Sequence, residues 1–371
     1  MGGGGQRPSP LPTSPSSPPP SPSSLGAPLL LRWSEVPPSV TESFILSGYR
    51  CPGYSLTQCL ASAFRPTNET GNFWTHFLAV FVFAFRFGEL FWGAEGPGAK
   101  GASDPFYYPL WSYFLGVCGL LLASSLAHLL NSMSLVIREV CFYIDYGTIS
   151  AYTVGSSLAY FYYIYPRGGE TAISANLSLA PELDVGGHAL GSRPWLEALY
   201  VPSACLIALF CTLACCCTRR LWPRHRYLIR TLVFLLPFLV VSLPVFHKLW
   251  HSGATMGPTG HFFLRHCAWL LASGVFNVSK LPERLSPGRF DIWGHSHQWF
   301  HCCTFMSILD ELHMIRGEIR EVGRGHGGMG TPTFLSTFGV MLLLLALLAA
   351  LVTWFGVRES HRQNGATRKE A

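Results

Sequence analysis

The chain has 371 residues, of which 49% are hydrophobic, 14% aromatic and only 12% charged. Soluble domains carry about twice that charged share, so a soluble globular enzyme is excluded; the formal charge of only +6 gives no reason to expect a nucleic-acid partner. The apolar residues fall in blocks of about 20, the length that crosses a bilayer as a helix, and this implies an all-α, polytopic membrane protein.

Residues 1–28 are rich in Pro, Ser and Gly and cannot build a core, so a disordered cytosolic tail is expected there. They contain no apolar h-region, hence no cleavable signal peptide is expected. Gln6 stands where a myristoylation signal has Ser or Thr. Residues 29–72 differ in character and read as a juxtamembrane segment. Ser55 and Gln58 have capping-box spacing, and Leu56, Leu60, Ala63 and Phe64 fall near one face, predicting a short helix against the cytosolic membrane surface. The stretch PTNETGNFWTH, from Pro66 to His76, reads as a helix start. Thr or Asn would cap it, Glu69 would sit near the dipole and Trp74 in the aromatic belt, and the segment could also close over polar groups further along.

Eight spans are predicted, at about 73–92, 107–130, 142–164, 196–217, 228–247, 262–278, 293–315 and 333–356. The first seven, within 73–320, form a core; 333–356 is an added eighth span, and 357–371 a cytosolic tail. Span two carries Ser124 and His128, and span three opens with Asp145. Span six is short and holds Arg265 and His266. Span seven begins with GHSHQWFHCC, from Gly294 to Cys303.

Loop charges set the orientation. Arg219, Arg220, Arg224 and Arg226 lie between spans four and five, Lys280, Arg284 and Arg289 between six and seven, and Arg358, Arg362, Arg368 and Lys369 after span eight. The opposite loops are poorer in Lys and Arg, apart from a dissenting cluster at Arg316, Arg320 and Arg324. The positive-inside rule then puts the N-terminus in the cytosol. On that topology the sequon at Asn176 is open to glycosylation and the one at Asn68 stays bare. None of the 12 cysteines falls in an outer loop, so no disulfide framework is expected. Cys215, Cys216 and Cys217 are as well explained by packing at a helix end as by palmitoylation.

His297 and His301 are four residues apart, so on a helix both imidazoles face one side. Ser124 and His128 share that spacing. A lone His inside a span is more often a hydrogen-bonded interior group than a ligand, but parity adds a constraint. The end of span two, the start of span three and the start of span seven lie on one membrane face in either orientation. Three histidines and an aspartate, remote in sequence, can therefore meet at one depth. Ionisable groups inside spans mark functional sites, and three imidazoles with an open fourth position are a common catalytic Zn²⁺ pattern. Asp145 could act there as a base or orienting group and Ser124 as a hydrogen-bond partner. His295, Cys302 and Cys303 lie off the 297/301 face and read as bystanders.

PTNETGNFWTH, SSLAH, IDYG and HQWFH together resemble the signature motifs of the progestin and adipoQ receptor family, which includes adiponectin receptors, membrane progestin receptors and haemolysin III-like proteins. The similarity covers about residues 30–320, and LLRWSEVP and ESFILSGYR look most like the membrane progestin receptor branch. The resemblance implies a seven-helix core of the adiponectin-receptor type with its N-terminus inside, and zinc held by His128, His297 and His301 with Ser124 and Asp145 nearby. It further implies binding of progesterone and related neurosteroids at the cell membrane, with rapid G-protein-linked signalling. Two readings follow: a steroid receptor, and a zinc-dependent lipid amide hydrolase of ceramidase type. A transporter is a weaker third, because no inverted repeat is visible. Preferred steroid, G protein and oligomeric state are not legible from the residues.

Overall fold

The computed structural model describes residues 30–93, 96, 98–165, 194–221, 225–251, 258–324 and 331–370; the sequon expected at Asn176 and the tail expected over 1–28 lie outside them. Among the described residues the regular structure is helical. It comprises α1 (Leu56–Ser62), α2 (Thr70–Trp92), α3 (Gly98–Ala102), α4 (Tyr108–Leu130), α5 (Leu135–Tyr163), α6 (Pro194–Leu221), α7 (Arg226–Val241), α8 (Leu243–His251), α9 (Pro258–Ser279), α10 (Ser296–Arg324) and α11 (Val340–Glu370).

Each predicted span falls in a helix, but four are long and apolar enough to cross a membrane by length and composition, and a fifth if α7 and α8 count as one. The fifth span is not the single rod expected over 228–247: α7 and α8 meet at 51°. Pro244, the second residue of α8, cannot donate a helical hydrogen bond to the Val240 carbonyl, and at the same bend the Tyr200 hydroxyl donates to the Val241 carbonyl, 2.7 Å away. Span three starts earlier than expected, at Leu135, because the Ser134 hydroxyl caps the Ile137 N–H. Arg138 in that first turn masks the helix from a hydropathy reading. The last helix runs on to Glu370, through the segment expected as a tail.

Apolar residues divide between two environments. On α2, Phe83, Phe87 and Phe91 are buried against α4, while Leu78, Phe81 and Phe85 point outward. On α11, Leu344 and Leu348 face in and Leu342, Leu343 and Leu347 face out. An outward apolar face with a buried inner one is what a lipid-surrounded helix needs. Two glycines bring α4 and α5 close. A Cβ at Gly116 would come within 3.0 Å of the Tyr152 Cα, and one at Gly155 within 2.9 Å of the Ser112 carbonyl oxygen, the small-residue contact typical of membrane helices.

Below this bundle, at the end that carries residues 30–65, Leu31, Val36, Ile45 and Tyr49 form a small core of their own. A β-bridge joins Leu31 to Tyr49. Ser55 and Gln58 make the expected reciprocal capping box of α1, whose Leu56 and Leu60 are exposed. This segment is tied to the bundle by Arg50, which is buried and donates to the His128 and Leu129 carbonyls at the end of α4, to Ser62 and to Asn131. A cation on the last carbonyls of a helix satisfies orphan acceptors and complements the dipole.

Candidate metal centre

His128 lies in the last turn of α4, and His297 and His301 lie one turn apart near the start of α10. Their ligand-capable nitrogens all lie within 4.8 Å of one another. The three rings sit 4.5 to 5.1 Å apart by centroid. The Nε2 atoms of His128 and His297 are 3.1 Å apart.

The surroundings fix the tautomers. His128 Nδ1 is 2.7 Å from Glu69 Oε2, and an ionised carboxylate only accepts, so Nδ1 carries the proton and Nε2 turns a lone pair to the cluster. Thr75 donates its hydroxyl proton to the Asn72 carbonyl, 3.0 Å away. It therefore accepts from His301 Nδ1 at 2.9 Å, leaving Nε2 of His301 as a lone pair too. Tetrahedral Zn²⁺ with Zn–N bonds of roughly 2.0–2.1 Å separates neighbouring ligand nitrogens by about 3.3 Å. The 3.1 Å between the Nε2 atoms of His128 and His297 is a hydrogen bond when His297 Nε2 carries the proton and a ligand-to-ligand spacing when an ion takes that proton's place, so these residues fit a small N-coordinated ion.

Glu69 is itself held. Asn72 Nδ2 donates to its Oε2 at 2.8 Å and Asn131 Nδ2 to its Oε1 at 2.7 Å. Asn131 in turn accepts from Arg50 at 2.7 Å. A chain of hydrogen bonds thus runs from the segment beneath the bundle through Asn131 and Glu69 to a ligand-bearing imidazole, the carboxylate–histidine arrangement that orients metal ligands.

Of the residues singled out from sequence, the three histidines converge. Asp145 interacts by charge with His128 and with Arg230, but among the described residues no hydrogen bond joins its carboxylate to the cluster. Ser124 is buried one turn before His128, and its hydroxyl has no partner among the described residues. His295 is buried and placed 3.2 Å from the Asn68 carbonyl, outside the cluster, as are Cys302 and Cys303. Sequence reasoning placed Glu69 near the helix dipole, in a segment able to close over the polar groups, but did not tie it to His128; the Glu69/Asn72 spacing, one helical turn on the histidines' face of the membrane, was the available signal. His76 was passed over as well. It is buried and stacks on His301 at 3.7 Å between centroids, and neither of its ring nitrogens has a hydrogen-bond partner.

Comparison with known proteins adds an independent line. Residues 64–310 match a family described as haemolysin-III related. The chain is similar to the membrane progestin receptor delta of Mus musculus, 34% identical over 350 residues that cover 89% of this chain and 93% of that protein. The Homo sapiens membrane progestin receptor delta is 34% identical over 348 residues, with the same shares. The membrane progestin receptor gamma of Mus musculus is 34% identical over 289 residues, 76% of this chain and 79% of that one.

Proposed function

The chain belongs to the haemolysin-III-related family, and from that premise we propose that it is a progestin-binding receptor of the plasma membrane, with a zinc ion at the three-histidine centre and rapid signalling through a G protein. The observation that carries this reading is likeness to receptors named for progestins along nearly the whole length of both chains. A steroid is a rigid, largely apolar ligand, and a membrane bundle rich in aromatic side chains suits its burial. The N-terminus is cytosolic in this reading, which places the histidines at the inner leaflet and the basic segments beside a G protein.

In the receptor, the protein's own groups do the following. Glu69 and Thr75 hold His128 and His301 in one tautomer. Arg50 and Asn131 link that geometry to the segment below the bundle, so a shift of α4 or α10 is felt at the cytosolic end. Labelled progesterone should bind membranes saturably where surface expression is verified; absence of binding there defeats the receptor reading.

The alternative, hydrolysis of a lipid amide, is favoured by one observation: three imidazoles converge with no fourth protein ligand among the described residues. Zinc bound there would supply Lewis acidity toward a carbonyl oxygen. Asp145, in charge contact with His128, is the carboxylate placed to hold or move a proton. Amide hydrolysis by the purified protein, lost in His297→Ala with steroid binding intact, would favour the enzyme.

A further inference from the structure

At the end of the bundle that carries residues 30–65, three helices each present cations that the metal centre does not use. Arg138 lies in the first turn of α5, Arg226 and Arg230 open α7, and Lys280 follows α9. The carboxylate shared between these elements is Glu42, from the segment below. Arg226 Nη2 approaches its Oε2 at 3.5 Å and Arg138 Nη2 its Oε1 at 3.7 Å, and the Tyr227 hydroxyl donates to Oε2. Lys280 sits over the Tyr227 ring, its nitrogen 3.3 Å from the centroid. Three other carboxylates act on the group by charge. Glu69, already engaged by His128, Asn72 and Asn131, acts on Arg138. Glu283 acts on Lys280, but both its oxygens are taken by the Ser296 amide and hydroxyl; Asp145 acts on Arg230.

The cations outnumber what Glu42 can neutralise, and they are not free in water. Arg138 and Lys280 are 3% and 8% exposed. Among the described residues, Arg138 Nε and Arg230 Nη2 are buried without a hydrogen-bond partner. Burying cations without full pairing is costly, and here even the backbone is strained to do it: Lys280 has φ of 58°, a left-handed conformation disfavoured for a long side chain. Burial lowers the Lys280 ammonium to about 8 against the opposing pull of Glu42 and Glu283. Burial would raise the Glu42 carboxyl, but Arg226, Lys280 and Arg138 outweigh it and hold it below its usual range. The Glu42 side chain is still 36% exposed. It reaches the cations from outside and can be displaced.

We infer that this basin is a binding site for a phosphomonoester group, with Glu42 as its internal occupant. With Glu42 displaced, the four cations stand against the charges of Glu283 and Asp145, a remainder of two that a phosphate dianion matches, and guanidinium forks suit its oxygens. Leu228 and Leu232, flanking Arg230 on α7, are exposed apolar residues, which sets the basin at the depth where an apolar belt gives way to headgroups. The phosphate then comes from an inositol lipid headgroup or from a soluble inositol phosphate. The choice of an inner-leaflet lipid rests on the cytosolic orientation proposed above; the phosphate chemistry does not.

The test uses the full chain in nanodiscs of phosphatidylcholine with or without phosphatidylinositol bisphosphate, which present both lipids on both faces, so orientation does not affect the result. Lipid retention is read by native mass spectrometry and inositol trisphosphate binding by titration. Removing the internal occupant with Glu42→Gln should raise phosphate affinity about tenfold, and Arg226→Gln with Lys280→Gln should lower it by at least about tenfold. Competition between soluble inositol phosphate and the lipid supports one phosphate site filled from either source, and retention of the lipid alone supports the headgroup. The inference is overturned if Glu42→Gln leaves affinity unchanged or lowers it, or if the double variant, with wild-type thermal stability, binds both ligands as wild type does. Progesterone binding measured in the same samples keeps a failure of the receptor reading distinct.

Discussion

The two ends of the helix bundle bury similar side chains and use them differently. At the far end, charges find partners within the protein. Arg265 pairs with Asp310 at 3.1 Å, and Lys248 with Glu318 at 2.6 Å and Glu321 at 2.9 Å. The Ser307 hydroxyl lies 2.8 Å from His266 Nδ1, and Tyr113 and Tyr152 donate to Glu311 at 3.2 and 2.5 Å. Among the described residues there, Asp310 Oδ2 and His313 Nδ1 lack one. At the near end, three imidazoles converge, and Glu69 and Thr75 anchor two of them from behind so that His128 and His301 turn Nε2 lone pairs inward. A paired end needs nothing added, whereas convergent imidazoles held in this way suit a cation. Polar groups inside a bundle are therefore sorted by whether their contacts close among themselves.

That contrast can be broken most forcefully at Arg50. Arg50→Met leaves four buried acceptors around it without their donor, and should cost on the order of 3–5 kcal/mol and lower metal occupancy together. Thermal unfolding with metal analysis checks both; normal occupancy would detach the lower segment from the centre. Next, Glu69→Gln should weaken metal binding roughly 10- to 100-fold in chelator competition. Arg265→Gln, at the far end, should leave metal affinity unchanged and lower stability by about 1–3 kcal/mol. If the two variants behave alike, the division into ends fails.

Acidity tests the near end directly: protons compete with a metal ion for imidazole nitrogens, so metal occupancy should decline on acidification. Occupancy that is flat down to pH of about 4 would contradict imidazole ligation. The smallest effect belongs to Tyr152→Phe, which removes one hydrogen bond to Glu311 and should cost about 1 kcal/mol with no loss of metal.

The helices themselves were legible, because apolar blocks of span length leave few alternatives, and so was the meeting of His128, His297 and His301, which needs only helical spacing and parity. Glu69 was not, since an acid at a helix start already has a local explanation in the dipole, and its partners at 128 and 131 lie about 60 residues away. Arg50 and Glu42 were hidden for the same reason: nothing near them in sequence announces partners on α4, α5 or α7. The far-end pairs were visible as residues but not as pairs, so Arg265, His266, Asp310, Glu311 and His313 read more readily as interface charges and imidazoles than as a ligand entrance. Geometry pairs the first four, and His313 stacks on Phe262.

The most direct test of the central claim is the metal content of the purified chain in nanodiscs, by mass spectrometry of the elements, for wild type and for His128→Ala, His297→Ala and His301→Ala at matched folding. Close to one zinc per chain in wild type and background levels in all three variants is the predicted result. Metal content unaltered by the three substitutions, or absent from well-folded wild type supplied with zinc, would contradict it.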